Sequence, residues 1–381
     1  MKSPVASPTH SPLSRRVELS APWIEEREEE LVLDVLRSGR LSLGPAGPRF
    51  EAAFAEAVGA RYCAAVSSGT AGLHLAMRIA GVGPGDEVIT SPYSFVASAN
   101  CAIYEGAVPV FADVDPQTYN LDPAAVEAAV TARTTAVVAV DIYGYPCELD
   151  PIRSICERHG LVLVEDACEA LGARYKGAAI GSHGHLAVFA FYPNKQMTTG
   201  EGGAVTTAAE REWRELVSLR NQGRTDSGGW LEHDRLGYNY RLDDVSAALG
   251  LGQLERLDEL LEGRREVAAR YGELLQGVDV DPPLADDDDH VRSWFVYVVR
   301  LPRGADRERV LRVLEERGVA TARYLPSIHL QPYMRERFGF APGTCPVSED
   351  LSARTFALPF HGRLAREDQE YVVESLRAAL G

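Results

Sequence analysis

The stretch LVLVEDACEALGARYKG, residues 161–177, joins an apolar strand to two carboxylates and a run of small residues. Its first four residues are all apolar, which is typical of a parallel strand that helices cover on both faces. Glu165 and Asp166 follow directly, at the carboxyl end of that strand. Ligands of open α/β sheets bind at this end of the strands. The stretch therefore predicts a buried parallel sheet with acidic residues at its ligand-binding edge.

Similar short apolar runs recur on both sides of this stretch. Between them, apolar residues such as Leu73, Met77 and Ala80 fall at helical spacing. Strands that alternate with helices in this way indicate an α/β fold with a mainly parallel sheet and helices on its flanks. The other predicted strands lie at residues 62–66, 87–90, 108–111, 135–142 and 186–191.

The pattern changes after residue 270. Helices are predicted at residues 25–37 and 243–270, and beyond them come a strand in SWFVYVVRL (293–301) and helices at 308–316 and 366–380. We therefore predict three parts of the chain. A disordered leader covers residues 1–20, a large α/β domain covers 21–270, and a small C-terminal α+β domain covers 271–381.

The composition excludes several classes of protein. Lys and Arg total 39 and Asp and Glu total 55, so the 381-residue chain carries a formal charge of −16, which argues against binding nucleic acid or an anionic membrane. The six cysteines form no C-x-x-C pair, and we predict no metal site. No apolar run approaches the roughly 20 residues that span a bilayer, and the start MKSPVASPTHSPLSRR lacks a signal peptide's apolar core. A cytoplasmic protein is predicted.

The first candidate site is VSSGTAGLHLAM, residues 66–77, where a strand passes through small residues directly into a helix. Small residues let an anion approach the N–H groups of a helix N-terminus, where the helix dipole also favours negative charge. The segment has neither the Gly-Lys-Ser/Thr ending of a Walker A loop nor the pattern G-x-G-x-x-G. A phosphate site and a tight structural turn both remain open.

Asp166 and a lone lysine are the next candidates. A carboxylate at the end of a strand can ligate a metal, bind a ribose hydroxyl, hold a heterocyclic nitrogen protonated, or only cap the next helix. The segment FAFYPNKQMTTGEGGAVTT, residues 189–207, places Lys195 between an aromatic strand and a glycine-rich turn, and the chain has only two other lysines, Lys2 and Lys176. Partial desolvation in such surroundings favours Schiff-base chemistry, whereas a lysine that reaches into solvent is the alternative.

The order of these three features is more informative than any one of them. A phosphate-type turn is followed by an acidic residue that ends a strand, and the lysine comes 29 residues after Asp166. Pyridoxal phosphate requires these three functions, because its phosphate, pyridine nitrogen and aldehyde must all be held. The residues therefore favour a PLP enzyme over a nicotinamide-dependent oxidoreductase, whose glycine fingerprint is missing.

The chain also resembles a known family, the DegT/DnrJ/StrS sugar aminotransferases, which are fold-type I PLP enzymes like aspartate aminotransferase. The resemblance covers about residues 21–380. It rests on SSGTAGLHLAM, GDEVITSPYSFVASANCAIYEGAVPVFADVD, VEDACEALGARYKGAAIGS, FYPNKQMTTGEGGAV and LGYNYRLDDVSAALGLGQLERLD.

The resemblance implies roles for individual residues. Lys195 would form the Schiff base with the cofactor and act as the catalytic acid and base, and Asp166 would bind the pyridine nitrogen. Asn239 would reach across a homodimer interface to the phosphate bound by the partner subunit. The full cofactor-binding set implied is Gly69, Thr70, Ala71, Phe95, Asp166, Glu169, Lys195 and Asn239.

Some of these positions leave alternatives or depart from the family pattern. Phe95, where the family stacks an aromatic ring on the cofactor, could instead belong to the core, and Asn239 could be only a turn residue. Glu169 stands where many members have Gln, and Ala190 stands where many have a phosphate-binding Ser. The missing hydroxyl removes one hydrogen bond, about 1 kcal/mol net, so cofactor binding should survive.

The implied activity is amino transfer from glutamate or glutamine to a keto-sugar, which is expected to be nucleotide-linked. Amino transfer is favoured over dehydration because members that act as dehydratases carry His at the position of Lys195. An aminocyclitol ketone such as an inosose is the alternative substrate, and a PLP-binding regulator without turnover is the alternative outside the enzymes. The candidate substrate residues, each with a structural or surface alternative, are Arg220, Arg224 and Arg241 for a diphosphate and the loop residues His329 and His361.

Overall fold

The computed structural model describes residues 15–225 and 232–381. Residues 1–14 of the predicted leader lie outside the described residues. The strands are β1 (Tyr62–Val66), β2 (Glu87–Thr90), β3 (Val108–Phe111), β4 (Thr134–Val140), β5 (Val162–Asp166), β6 (Arg174–Tyr175), β7 (Ala178–Ala179), β8 (Leu186–Ala190), β9 (Gly203–Thr207), β10 (His290–Val291), β11 (Tyr297–Arg300) and β12 (Thr355–Leu358).

A seven-stranded sheet occupies the centre of the described chain, in the order β1-β9-β8-β5-β4-β2-β3. The strands from β8 to β3 pair in parallel, whereas β9 is antiparallel to both of its neighbours. The other strands form a three-stranded sheet, β10-β6-β7, and a two-stranded sheet, β11-β12. The predicted α/β fold with a mainly parallel sheet is confirmed.

Helices cover both faces of the central sheet. Successive residues of β4 face opposite ways, so that Val137 and Ala139 enter one apolar core while Ala136 and Val138 enter the other. This explains why the strands are apolar throughout. The helices are α1 (Glu26–Ser38), α2 (Ala46–Val58), α3 (Gly69–Ile79), α4 (Ala97–Tyr104), α5 (Pro123–Ala129), α6 (Leu149–His159), α7 (Glu210–Arg220), α8 (Asp244–Glu255), α9 (Leu257–Leu274), α10 (Arg307–Glu316), α11 (Pro332–Phe338), α12 (Pro346–Arg354) and α13 (Arg366–Leu380).

The single helix predicted at residues 243–270 is instead two helices, α8 and α9. The chain leaves helical geometry at Arg256, with φ −129° and ψ 25°. The Arg256 guanidinium lies 2.7 Å from the Glu25 carboxylate and 4.6 Å from the centre of the Trp23 ring. The break therefore accompanies a tertiary contact with the start of the described chain, and no glycine or proline marks it.

Helix α9 joins two apolar cores. Its Leu257 and Leu260 pack in a core of the central sheet, whereas Val267 and Tyr271 pack in a core formed with β11, β12, α10 and α13. The division of the chain at residue 270 stays a prediction. None of the helices in the described ranges is long and apolar enough to cross a membrane, and the cytoplasmic location also stays a prediction.

Val17 lies within the segment that was predicted as a leader extending to residue 20. Val17 is 3% exposed and packs in the core that α9 forms with β11, β12, α10 and α13. Its N–H donates to the Gly318 carbonyl at 2.9 Å. Val17 also pairs with Val319 as an isolated parallel bridge. An apolar side chain and a satisfied main chain hold this part of the segment in place, so its assignment to a disordered leader is wrong from Val17 onward.

Candidate active site

Asp166 ends β5 and is buried, with 6% of its surface exposed. Its Oδ1 accepts a hydrogen bond from the N–H of Cys168 at 3.3 Å, and no helix begins there for it to cap. Burial raises the pKa of this carboxyl, while the Cys168 contact and the charge of Lys195 act in the opposite direction. A buried carboxylate at this edge of the sheet fits the protonated nitrogen of a heterocycle.

Lys195 lies in the loop between β8 and β9, with 13% of its side chain exposed. Its Nζ is 3.6 Å from Glu169 Oε1 and 3.8 Å from the centre of the Phe295 ring. The amine is thus enclosed between a carboxylate and an aromatic face, and the alternative of a lysine reaching into solvent does not hold.

Glu169 is fixed from several directions. Its Oε2 accepts the N–H of Tyr143 at 2.8 Å, and its main-chain carbonyl accepts a bond from Gln196 Nε2 at 2.5 Å. Tyr143 adopts a left-handed conformation, with φ 57°, which is uncommon for a bulky residue. Burial raises the pKa of the Glu169 carboxyl, and the positive charge of Lys195 opposes that shift. The strained turn at Tyr143 therefore aims a donor at this carboxylate.

The small-residue turn leads into α3, as predicted. Ser68 caps the helix, because its Oγ accepts the N–H of Ala71 at 3.1 Å. Gly69 is tightly enclosed: a Cβ at this position would lie 2.8 Å from both Ala190 Cβ and Cys168 Sγ. This contact brings the turn beside the segment that carries Asp166. The first-turn N–H groups of Gly69 and Thr70 have no acceptor within the helix and are available to an anion.

Phe95 is 61% exposed, just before α4, so the alternative that it belongs to the core is wrong. An exposed aromatic face can stack on a planar ring. Together with the buried Asp166, the enclosed Lys195 and the free N–H groups of Gly69 and Thr70, the residues present fit PLP. The structure does not place Phe95 in contact with Lys195.

Asn239 is exposed, and its two neighbours in the sequence are tyrosines whose rings stack on each other. The rings of Tyr238 and Tyr240 are 5.0 Å apart and both contact His74. The Tyr240 carbonyl accepts the N–H of Ser67 at 2.8 Å, so this segment runs beside the turn that precedes α3. The two anchored rings leave the intervening Asn239 side chain exposed to solvent.

The three candidate arginines are close together but differ in their partners. Arg220 bonds the Glu51 carboxylate and the Ala65 carbonyl, which supports the alternative of a structural ion pair. Arg241 donates to Asn221 Oδ1 at 2.9 Å. Burial lowers the pKa of Arg241, and the charges of Arg224 and Arg220 add to that effect. The assignment of Arg224 and Arg241 to an anionic substrate group stays a prediction.

The two candidate histidines have different surroundings. His329 is fully buried and its Nε2 lies 2.9 Å from Glu349 Oε1, so its prediction as a substrate-facing residue is wrong. On another side, the centre of the Phe111 ring lies 6.0 Å from that of the His329 ring. His361 is only partly buried; burial and then the charge of Arg264 lower its pKa.

Two groups at the site were not predicted. Phe295 was assigned only to a strand, and Tyr143 carried no motif, yet Phe295 contacts the Lys195 amine and Tyr143 binds Glu169. The one available signal was the aromatic content of SWFVYVVRL, which a buried strand also explains.

Comparisons with known proteins give consistent matches. The profile of the DegT/DnrJ/EryC1/StrS aminotransferase family matches residues 22–377. The spore coat polysaccharide biosynthesis protein SpsC of Bacillus subtilis is 39% identical over 94% of this chain and 95% of its own. GDP-perosamine synthase of Caulobacter vibrioides is 37% identical over 96% and 98%. The PLP form of the putative sugar aminotransferase Spr1654 from Streptococcus pneumoniae superposes with a TM-score of 0.91 at 28% identity, over 96% and 98%.

Proposed function

The chain belongs to the DegT/DnrJ/EryC1/StrS aminotransferase family and is a PLP-dependent aminotransferase, and we propose that it transfers an amino group from glutamate or glutamine to a nucleotide-linked keto-sugar. The observation that carries the proposal is the enclosed amine of Lys195, 3.6 Å from Glu169 and close enough to Asp166 to affect the pKa of that carboxyl. The name of one relative, GDP-perosamine synthase, supports a nucleotide-linked sugar.

We infer which residues hold the cofactor from what each can bind. Asp166 would bind the pyridine nitrogen, because a buried carboxylate gains most from a cationic partner. The N–H groups of Gly69 and Thr70 would bind the phosphate, and Ala71, whose N–H the Ser68 side chain occupies, would shape that turn. Phe95 would lie against the ring. When bound, PLP supplies an aldehyde carbon that accepts the amino group and a ring that accepts electrons.

The residues of the chain would then move the protons. Lys195 Nζ would take the proton that leaves the α-carbon of the amino donor and deliver it to the carbon that was the aldehyde carbon of the cofactor. It would make these transfers in reverse on the keto-sugar. Glu169 would hold the amine in place through the 3.6 Å contact, and Tyr143 would keep Glu169 aligned. The aromatic face of Phe295 would limit the approach of water to Nζ.

The proposal includes a homodimer that shares its active sites. The exposed Asn239, held between anchored tyrosines, would bind the phosphate in the partner subunit. Lys195→Ala and Asn239→Ala proteins, each impaired alone, should regain activity when they are unfolded and refolded together. One site of each mixed dimer then carries both residues, so activity should approach a quarter of the wild-type value. No recovery despite mixed dimers would contradict shared sites.

The substrate class is tested by a panel. Keto-sugar nucleotides with different nucleotides and keto positions are offered with glutamate or glutamine as donor, and turnover is followed by 2-oxo acid formation. Scyllo-inosose and related cyclitol ketones form a second arm. Turnover of a keto-sugar nucleotide above the cyclitol arm supports the proposal, whereas turnover of a cyclitol ketone alone contradicts the substrate class and leaves the PLP chemistry intact.

A further inference from the structure

Arg264 is a buried guanidinium in the middle of α9, between the residues of that helix that enter the two apolar cores. It is 5% exposed. Burial alone lowers its pKa, to about 10, and no carboxylate within residues 15–225 and 232–381 pairs with it. A buried charge without a counter-ion is unfavourable unless hydrogen bonds compensate for the lost water. The bonds that Arg264 makes therefore indicate what it is there to hold.

Its donors bind main-chain carbonyls from two distant parts of the chain. Nη2 donates to the carbonyl of Lys195 at 2.5 Å and to that of Asn194 at 3.2 Å. Nη1 donates to the carbonyl of Phe295 at 3.1 Å and to that of Trp294 at 3.4 Å. One rigid guanidinium thus joins the lysine loop of the central sheet to the segment that leads into β11.

These two segments meet again at the reactive amine. The ring of Phe295 lies 3.8 Å from Lys195 Nζ, and Glu169 Oε1 lies 3.6 Å from it. Because Arg264 fixes the main chain of both Lys195 and Phe295, it also fixes the distance between the amine and the ring. A lysine at this position would carry the same charge but could not make paired, planar contacts on both sides.

We propose that Arg264 is a positioning residue for Lys195: by binding the carbonyls of Lys195 and Phe295 it determines where the amine lies relative to the ring and to Glu169. The inference deepens the proposed function, in which Lys195 carries the cofactor, and rests on it. It also gives α9 a part in the site. A movement of this helix together with the core that it forms with β11, β12, α10 and α13 would carry Arg264 along and move the lysine loop.

The test uses the full-length protein without cofactor and the small number of its lysines. An amine-reactive acetylating reagent is applied for short times, and mass spectrometry gives the labelling rate of Lys195 relative to the exposed Lys176. Arg264→Lys keeps the charge and removes the fork. The matched control is Arg292→Lys, because Arg292 is 6% exposed, burial lowers its pKa to about 10, and it does not contact the lysine loop.

We expect Arg264→Lys to raise the Lys195 to Lys176 labelling ratio at least threefold, and Arg292→Lys to leave it within 1.5-fold of wild type. With cofactor and substrates, Arg264→Lys should lower kcat at least tenfold and change KM for the amino donor less than threefold. An unchanged ratio in a folded Arg264→Lys protein would overturn the inference, as would equal effects of both substitutions.

Phe295→Leu provides a second variant if Arg264→Lys does not fold. It leaves Arg264 in place and removes the ring, so the labelling ratio should again rise at least twofold, and an unchanged ratio would contradict the inference. The labelling ratio is measured without cofactor, so its outcome is independent of whether Lys195 binds PLP. Failure of the proposed function would appear separately, as a wild-type protein that does not hold PLP on Lys195.

Discussion

Lys195 Nζ lies 3.6 Å from Glu169 Oε1, and the other oxygen of that carboxylate accepts the N–H of Tyr143 at 2.8 Å. By the resemblance to the family, Glu169 stands where many members have Gln. A neutral amide could accept from Tyr143 in the same way, but it would carry no charge toward the lysine. The difference between the two side chains is therefore electrostatic, at nearly constant shape.

Glu169→Gln tests this difference. We expect kcat to fall about tenfold, because the substitution removes the attraction between the Glu169 carboxylate and the Lys195 amine, and a loss of about 1.4 kcal/mol is tenfold in rate. Burial raises the pKa of Glu169 above its ordinary value of 4.5. Wild-type activity should thus decline as pH falls toward that raised pKa, and the variant should lack this decline. A pH profile of kcat with the same acid limb in both proteins would assign the limb to another group.

Gly69→Ala tests the proposal that the closely packed turn at the start of α3 binds the phosphate of PLP. The added Cβ would lie 2.8 Å from Ala190 Cβ and from Cys168 Sγ, and overpacking of this kind costs about 1–3 kcal/mol. We expect PLP to bind about tenfold more weakly or worse, as measured by absorbance titration. Gly47→Ala is the control, since its Cβ would meet nothing within 4 Å in α2. Equal PLP affinity in both variants would mean that the turn does not hold the phosphate.

Asp166→Asn separates stability from function. Burial raises the folded-state pKa of Asp166 above its ordinary 3.8, so the folded protein binds this proton more tightly than the unfolded chain does. The free energy of unfolding due to this group therefore falls as pH rises from about 3.8 through the raised pKa. Without cofactor, the Asn variant should melt higher than wild type near pH 8, with the difference vanishing below pH 3.8.

The same variant should bind PLP at least about tenfold more weakly, because a neutral amide replaces a charge-assisted hydrogen bond to the ring nitrogen. A variant that melts below wild type at pH 8, or that binds PLP with unchanged affinity, would contradict the assignment of Asp166. Melting is followed by circular dichroism across the pH range, and PLP affinity by absorbance.

Glu51→Gln tests the structural role of Arg220. Both side chains are only 15% exposed, so removal of the negative charge leaves a largely buried guanidinium without its charged partner and should lower the free energy of unfolding by about 2 kcal/mol. Glu210→Gln, in the exposed pair with Arg214, should change the free energy of unfolding by less than about 0.5 kcal/mol. Loss of sugar-nucleotide binding without loss of stability in Glu51→Gln would instead place Arg220 in the substrate site.

The fold could be predicted from the sequence where local pattern decides it. Strands covered on both faces are apolar throughout, so β1 to β5 and β8 were predicted to within a few residues. The short antiparallel β9 and the break at Arg256 were not, because β9 is defined by pairing with β1 and β8, and the break accompanies contacts with Glu25 and Trp23. Such contacts join residues far apart in the chain.

The site could be predicted where a residue ends a strand or begins a helix. Asp166 and Gly69 have such positions. Arg264 and Phe295 contact the lysine segment from about 70 and 100 residues further along the chain. Arg264 binds main-chain carbonyls and Phe295 offers a ring face, and such contacts produce no recognisable motif in the sequence. The prediction for His329 was wrong for a related reason, since its contact with Glu349 joins residues that are 20 positions apart in the chain.

The most direct test of the account is to find which lysine holds the cofactor. The PLP-loaded protein is reduced with borohydride, digested and examined by mass spectrometry, and the lysines that can carry the label are Lys2, Lys176 and Lys195. We expect the reduced cofactor on Lys195, with Lys195→Ala protein unlabelled. Label on Lys2 or Lys176, or none in wild-type protein incubated with PLP, would contradict the assignment on which the proposed function rests.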